Sequence, residues 1–295
     1  MRQIYCGCYG NGGIYKVNFE DGILSDPVLF STLTSTKYLA QGNGYLASLY
    51  SEGKKSGVAI LAMDGKVLTS LPCEDVASCF IGCESDHIYT ANFHEGTFSF
   101  LKYEDSTLSL ERKIRIREKA GCHMLLRCRN LLLGFVLYLD RIFLFDDAGE
   151  CLDEIVFPQG TGPRHGVLSE DEKYLYVISE LSREVFIIET SSWKIIDKVK
   201  LSNDEGATAA AIRLCGHTLY VSIRGIDKVF EIAVNGEKLT VTKSYSCGGK
   251  HPRDMIVCDG YVLCANTHSN TLTCVNEKGT VSQVEIPEAV TLVAL

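Results

Sequence analysis

Hydrophobic and polar positions alternate along this chain in a pattern that recurs with a period in the low forties. Each recurrence is a short apolar strand, a polar turn and a second apolar strand, as in the segment YVLCANTHSNTLTCV that begins at Tyr261. Alternation with a period of two indicates half-buried β-strands, and Asn, Gly, Ser and charged residues mark the turns. A repeat of this length built from β-hairpins is typical of a propeller in which each repeat forms one four-stranded blade. The other copies begin at Ile4, Tyr45, Ile88, Leu131, Tyr174 and Leu219. Seven copies therefore predict an all-β, seven-bladed β-propeller.

The composition fits one propeller domain that spans residues 1–295. The chain is 46% hydrophobic, which is enough to bury a sizeable core. It has only 6 prolines, and no low-complexity segment interrupts the repeat. No apolar run approaches the roughly 18 residues of a membrane span, and the segment MRQIYCGCYG lacks the long apolar stretch of a signal peptide. We therefore expect a cytoplasmic protein with no membrane partner.

The cysteines and the net charge argue against several classes of function. The 13 cysteines are odd in number and many lie inside apolar strands, which predicts free thiols rather than a disulfide framework. Cys79 and Cys83 are four residues apart, but no second pair follows them, so we expect neither a metal nor a cofactor. A net charge of −8 argues against a nucleic-acid partner. The basic residues from Arg112 to Arg117 alternate with isoleucines, which favours the solvated face of a strand.

The predicted blade places polar and charged residues at one end of the central channel. In an antiparallel blade, the start of the innermost strand and the turn between the second and third strands lie on the same face of the disc. Residues at these two positions should therefore converge. At the innermost-strand starts the sequence has His123, Arg164, His165, His251 and Arg253. At the middle turns it has Asn92, His94, Glu180, Arg224, Asn266 and His268.

This set of imidazole, guanidinium and carboxylate groups predicts a small anionic partner. Ordinary turns carry Ser, Asn, Asp and Gly, whereas the planar guanidinium fork of arginine binds carboxylate and phosphate groups bidentately. Two alternatives remain for individual residues. Arg164 and Glu180 could form an ion pair that only locks strand to turn. His94, His217 and His268 have weaker positions and are interpreted as turn residues.

Several segments resemble the lactonase-type seven-bladed propellers, the family of bacterial 6-phosphogluconolactonases and fungal muconate-lactonizing enzymes. The most specific segment is TGPRHGVLSEDEKYLYVISELSREVFIIE, from Thr161 to Glu189. Others are IYCGCYGNGGIYKVNFEDGIL, YTANFHEGTFSFLKY and HPRDMIVCDGYVLCANTHSNTLTCV. The resemblance covers essentially the whole chain. It departs from the family pattern in GCHMLLRCRNLLL, where Met124 and Arg127 replace polar family residues, and at Ile178, Ser179 and Ile223.

The resemblance implies hydrolysis of a sugar lactone or phospholactone at the mouth of the propeller channel. The family motifs fall on His123, Arg164, Glu180, Arg224 and Arg253, which in the family surround the substrate cleft. On this basis Glu180 or His123 is expected to be the general base, with Arg164 stabilising the oxyanion. The residues expected to bind substrate are His165, Arg224 and Arg253. The alternatives are non-catalytic binding of an anionic sugar or dicarboxylate, and a propeller scaffold for protein interactions.

Overall fold

The computed structural model describes residues 1–295 and is an all-β, seven-bladed propeller, as the repeat predicted. Its first blade contains β1 (Arg2–Cys8), β2 (Ile14–Glu20), β3 (Ile23–Leu24) and β4 (Val28–Ser31). The second blade contains β5 (Leu39–Gln41), β6 (Leu46–Glu52), β7 (Lys55–Leu61) and β8 (Val67–Glu74). The third contains β9 (Phe80–Glu84), β10 (His87–Asn92), β11 (Thr97–Glu104) and β12 (Thr107–Arg115). The fourth contains β13 (Cys122–Cys128), β14 (Leu131–Val136), β15 (Arg141–Phe145) and β16 (Cys151–Val156).

The remaining three blades follow in the same order along the chain. The fifth contains β17 (Pro163–Leu168), β18 (Tyr174–Ser179), β19 (Glu184–Glu189) and β20 (Lys194–Lys200). The sixth contains β21 (Thr208–Cys215), β22 (Thr218–Arg224), β23 (Lys228–Asn235) and β24 (Lys238–Ser246). The seventh contains β25 (Pro252–Cys258), β26 (Tyr261–Asn266), β27 (Thr271–Asn276) and β28 (Gly279–Glu285). Two short 3-10 helices, Leu137–Leu139 and Thr267–Ser269, form the middle turns of the fourth and seventh blades. No helix in the structure has the length and apolarity needed to cross a membrane.

The last strand, β29 (Ala289–Ala294), closes the ring. It pairs antiparallel with β1 and forms the innermost strand of the first blade, so the two ends of the chain meet in one sheet. The N-terminal strand therefore closes the propeller against the C-terminal part of the chain. Closure pairs the two terminal strands with each other and leaves no open seam in the ring.

The core lies between the blades. Seven clusters of buried apolar side chains fill the seven interfaces, and each cluster draws residues from two neighbouring blades. The cluster that joins the seventh blade to the first contains Ile4, Leu263, Leu272 and Leu292, so the closing interface is packed like the others. Because every blade shares its buried surface with two neighbours, the ring is stabilised by packing around its whole circumference.

Candidate functional site

The site residues are aimed into the channel by a β-bulge that recurs at the start of the innermost strand. The pairing register shifts between Cys122 and Met124, between Pro163 and His165, and between Pro252 and Asp254. The residues skipped at these bulges are His123, Arg164 and Arg253. A bulge leaves one residue out of the ladder and redirects its side chain. The fold therefore presents one non-paired side chain at the same position in the fourth, fifth and seventh blades.

The loop before Arg164 is held by a carboxylate from the neighbouring blade. Asp140 accepts hydrogen bonds from the backbone N–H groups of Gly160 and Gly162, both at 2.8 Å. Gly162 adopts a left-handed conformation with φ of 67°, and a Cβ there would meet the side chain of Leu181 at 2.7 Å. Glycine is therefore required at this turn, and the turn fixes where β17 begins.

A cavity of about 240 Å³ opens at this end of the channel, and all seven blades contribute to its wall. Five residues of the set predicted from the sequence line it, namely His94, His123, Glu180, Arg224 and Arg253. The remaining lining residues are Tyr9, Lys37, Ala77, Ser78, Cys79 and Phe93. The predicted convergence of strand starts and middle turns is thus what the structure shows.

Glu180 lies between two arginines at the wall of this cavity. Its Oε2 accepts a hydrogen bond from Nε of Arg164 at 2.8 Å and lies 3.1 Å from Nη2 of Arg224, which comes from the next blade. Oε1 takes part in neither contact. Burial acts to raise the pKa of Glu180, but the charges of Arg164 and Arg224 outweigh it and hold the pKa below its ordinary value. The carboxylate is therefore ionised at neutral pH and keeps one oxygen free of the ion pairs.

Arg164 is buried beneath the cavity and does not line it. Its side chain is only 2% exposed, and its Nη1 donates to the carbonyl oxygen of Ala210 at 2.6 Å. Burial lowers the pKa of Arg164 to about 10, because the low-dielectric surroundings disfavour its charge. A guanidinium at this depth contacts Glu180 rather than a molecule in the cavity. This contact is the ion pair between Arg164 and Glu180 that the sequence analysis gave as an alternative to substrate contact.

His123 lies at the cavity wall and His165 lies below it. The two rings meet edge to face with centroids 4.8 Å apart. Burial, followed by the charge of Arg164, lowers the pKa of both imidazoles well below the ordinary value, so both are neutral at physiological pH. Nδ1 of His123 is buried without a hydrogen-bond partner, and Nε of Arg224 is also buried without one. Buried polar atoms are normally satisfied by protein or by ordered water, and neither of these two atoms has a partner within the protein.

Three aromatic rings that do not line the cavity pack against one another. His165 lies 6.0 Å from both Tyr38 and Phe80, and Tyr38 lies 5.1 Å from Phe80, measured between ring centroids. His165 was expected to bind substrate, but it does not line the cavity and packs in this layer instead.

Two lining residues, Lys37 and Tyr9, were missed by sequence reasoning. Lys37 precedes β5, a strand of only three residues, which left that strand start poorly marked in the sequence. Successive steps of about one period back from Arg164 reach His123, then Cys79 and then Lys37. The repeat itself therefore contained the signal for Lys37. Tyr9 lies in the turn between β1 and β2, which is the middle turn of the first blade.

A larger groove elsewhere does not present comparable chemistry. It measures about 630 Å³ and lies between the third and fourth blades. Its most enclosed charge, Arg127, is paired with Glu84 at 3.0 Å and with Asp147 at 2.5 Å. These pairs neutralise the arginine, whereas the smaller cavity at the channel mouth keeps cations without partners. The mouth cavity is therefore the candidate site.

Four other polar residues named in the sequence analysis lie outside the cavity wall. His251 and His268 stack on each other with ring centroids 3.9 Å apart. Asn266 is buried, and its Nδ2 donates to Oγ1 of Thr273 at 2.9 Å. His217 lies in the turn between β21 and β22, at the opposite end of the strands from Arg224. These residues organise turns and are not brought into contact with the cavity.

Comparisons with known proteins agree with this architecture. The family described as "Lactonase, 7-bladed beta-propeller" matches residues 3–289. A solved structure of a Lactobacillus plantarum protein has 25% sequence identity and a TM-score of 0.91, with 100% of each chain covered. A candidate 6-phosphogluconolactonase from Bacteroides fragilis has 20% identity and a TM-score of 0.88, covering 100% of this chain and 98% of that one. An uncharacterized Staphylococcus aureus protein is 28% identical, over 94% of this chain and 93% of its own length.

Proposed function

Because the chain belongs to the seven-bladed lactonase propeller family, we propose that it hydrolyses the ring ester of an anionic, sugar-derived lactone in the mouth cavity. A lactone of the 6-phosphogluconolactone type fits the residues best. The observation that carries the proposal is Glu180, an ionised carboxylate at the cavity wall. Its Oε2 contacts two arginines, and its Oε1 accepts no hydrogen bond from the protein. Its neighbours in the wall are a neutral imidazole and an arginine, the groups that ester hydrolysis requires.

Glu180 is assigned as the group that orients and deprotonates the attacking water. A new bond forms between the water oxygen and the lactone carbonyl carbon while a proton passes to Oε1. The bond between that carbon and the ring oxygen then breaks, and the same proton goes to the ring oxygen, which becomes the hydroxyl of the product. The lowered pKa of Glu180 makes it a weak base but a ready proton donor to the departing alkoxide.

Arg224 is assigned to the oxyanion. It lines the cavity, where its guanidinium group can donate to a bound molecule. Charge that develops on the carbonyl oxygen during water attack is stabilised by a fixed, partly desolvated donor of this kind. The sequence favoured Arg164 for this role, but Arg164 is buried beneath the cavity, so we assign it instead to positioning Glu180 through the 2.8 Å hydrogen bond.

His123 is assigned to holding the substrate or the water by hydrogen bonding. It is neutral, lines the cavity, and has an unpartnered Nδ1. A neutral imidazole can accept a proton from water at one nitrogen and donate from the other. His123 is therefore assigned to support Glu180, whose ionised carboxylate remains the assigned base.

The direct test is hydrolysis of freshly prepared 6-phosphogluconolactone by the purified protein, followed against the spontaneous rate. The proposal expects acceleration that is proportional to enzyme concentration and saturates with substrate. Arg224→Gln should lower kcat by about 10²- to 10³-fold, as loss of an oxyanion donor does. A rate equal to the spontaneous one, for this lactone and for the unphosphorylated gluconolactone, would leave only the binding or scaffold alternatives.

A further inference from the structure

The cavity wall carries two further cations that the protein itself does not neutralise. Lys37 and Arg253 both line the cavity. Neither forms an ion pair or a side-chain hydrogen bond with any residue of the chain, whereas Arg164 and Arg224 share the carboxylate of Glu180. Cations kept close together without a counter-charge are unfavourable unless a ligand supplies one.

Both cations lie over the same aromatic ring. The Nζ atom of Lys37 is 6.0 Å from the ring centroid of Tyr9, and the guanidinium carbon of Arg253 is 5.2 Å from it. A ring face attracts cations through its quadrupole and holds their position without cancelling their charge. Tyr9 thus keeps the two groups together in the second and seventh blades while leaving their N–H donors free.

The nearby carboxylate of Glu74 does not supply the missing counter-charge. Glu74 is buried, and it accepts hydrogen bonds from Oγ of Ser78 at 2.6 Å and from Oγ1 of Thr90 at 2.9 Å. It makes no ion pair with Lys37. The lining residues include three cations, Lys37, Arg224 and Arg253, and one carboxylate, that of Glu180. This excess of two positive charges matches a dianion better than a monoanion.

We propose that Lys37 and Arg253, supported by the ring of Tyr9, form a subsite for a dianionic phosphoryl group that makes the cavity select a phosphorylated lactone over its unphosphorylated counterpart. This inference rests on the proposed function for the identity of the lactone, but not for the binding of the phosphoryl group. A phosphate carries about two charges at neutral pH and several acceptor oxygens, so a lysine and an arginine can both donate to it. The ring ester then faces Glu180 and Arg224 across the cavity.

Binding of the reaction product separates this subsite from catalysis. The affinities of 6-phosphogluconate, gluconate and inorganic phosphate are measured by calorimetry on the wild type, Lys37→Gln, Lys37→Arg and Lys66→Gln. Lys66 is the matched control, because it is an exposed lysine in the turn between β7 and β8, on the face away from the cavity. The expected result is that Lys37→Gln weakens 6-phosphogluconate binding by about 10- to 100-fold, the range of a charge-assisted hydrogen bond, and changes gluconate binding less than about 2-fold.

The other variants and ligands test the subsite further. Lys37→Arg should retain affinity within about 3-fold, since the charge is kept, and Lys66→Gln should match the wild type. Inorganic phosphate should compete with 6-phosphogluconate and not with gluconate. Equal affinity of the wild type for 6-phosphogluconate and gluconate, or an unchanged 6-phosphogluconate affinity in Lys37→Gln, would overturn the subsite. Selective, Lys37-dependent binding without turnover of any lactone would instead overturn the proposed function and leave the subsite standing.

Discussion

Arg164 donates from Nε to Oε2 of Glu180 over 2.8 Å, and this contact joins the start of the fifth blade's innermost strand to the middle turn of the same blade. The arginine is 2% exposed and the glutamate side chain 21%, so one partner is fully buried and the other reaches the cavity. Glu180 also contacts Arg224 of the sixth blade. One carboxylate therefore has two functions, neutralising a buried arginine and presenting a free oxygen to the cavity.

The ion pair between Glu180 and buried Arg164 predicts a loss of stability in Glu180→Gln. Removing one partner of a buried ion pair leaves the other charge uncompensated, which costs about 3 to 5 kcal/mol. Urea unfolding should show this loss, whereas Glu170→Gln, at an exposed turn residue, should stay within about 0.5 kcal/mol of the wild type. In an Arg164→Met background the effect of Glu180→Gln should shrink, and an undiminished effect there would contradict the pairing.

The buried imidazoles predict a stability that falls as the pH drops below about 6.5. The pKa values of His123 and His165 are lowered in the folded protein, so their contribution is complete above the unfolded-state value near 6.5 and is lost as the unfolded chain takes up protons. Each histidine contributes a slope of up to about 1.4 kcal/mol per pH unit. Between pH 6.5 and 5, His165→Gln should show a shallower slope than the wild type. Identical slopes would mean that His165 is not held neutral.

The sequence was sufficient to predict the fold and the face of the propeller on which the site lies. It was less informative about how deeply each site residue is buried. The period and the antiparallel alternation locate the strand starts and middle turns, and from these positions they predict that Glu180, Arg224 and Arg253 lie together. Whether a strand-start residue reaches the cavity or lies beneath it depends on the bulges and on packing from other blades. That is why Arg164 and His165 turned out to be buried below the cavity. Lys37 was missed because its strand, β5, is too short to show an alternating pattern.

The closing interface predicts that the N-terminal strand is essential for stability. Deleting residues 1–8 removes β1, the only partner that β29 has in the first blade's sheet, and takes Ile4, Cys6 and Cys8 out of a buried cluster. Large-to-small changes in a core cost about 2 to 5 kcal/mol each, so we expect the melting temperature to fall by roughly 10 °C or more. Calorimetry measures this, and an unchanged melting temperature would contradict closure through β1.

The thiols should divide into two reactive and eleven protected groups. All thirteen cysteines are unpaired, and only Cys151 and Cys215 are exposed. Burial raises the pKa of Cys79 to about 11, which keeps that cavity-lining thiol protonated and slow to react at neutral pH. A thiol reagent should label two groups rapidly in the native protein and thirteen in denaturant. A count of eleven or fewer in denaturant without reductant would indicate a disulfide.

The central claim is that Glu180 takes part directly in lactone hydrolysis, and the most direct measurement is kcat on 6-phosphogluconolactone for the wild type, Glu180→Gln and Glu170→Gln under conditions where all three are folded. General-base assistance is worth about 10²- to 10⁴-fold, so Glu180→Gln should lower kcat by at least about 10²-fold, and Glu170→Gln should leave it unchanged. Full wild-type kcat in folded Glu180→Gln would contradict the account and reduce Glu180 to the structural partner of Arg164.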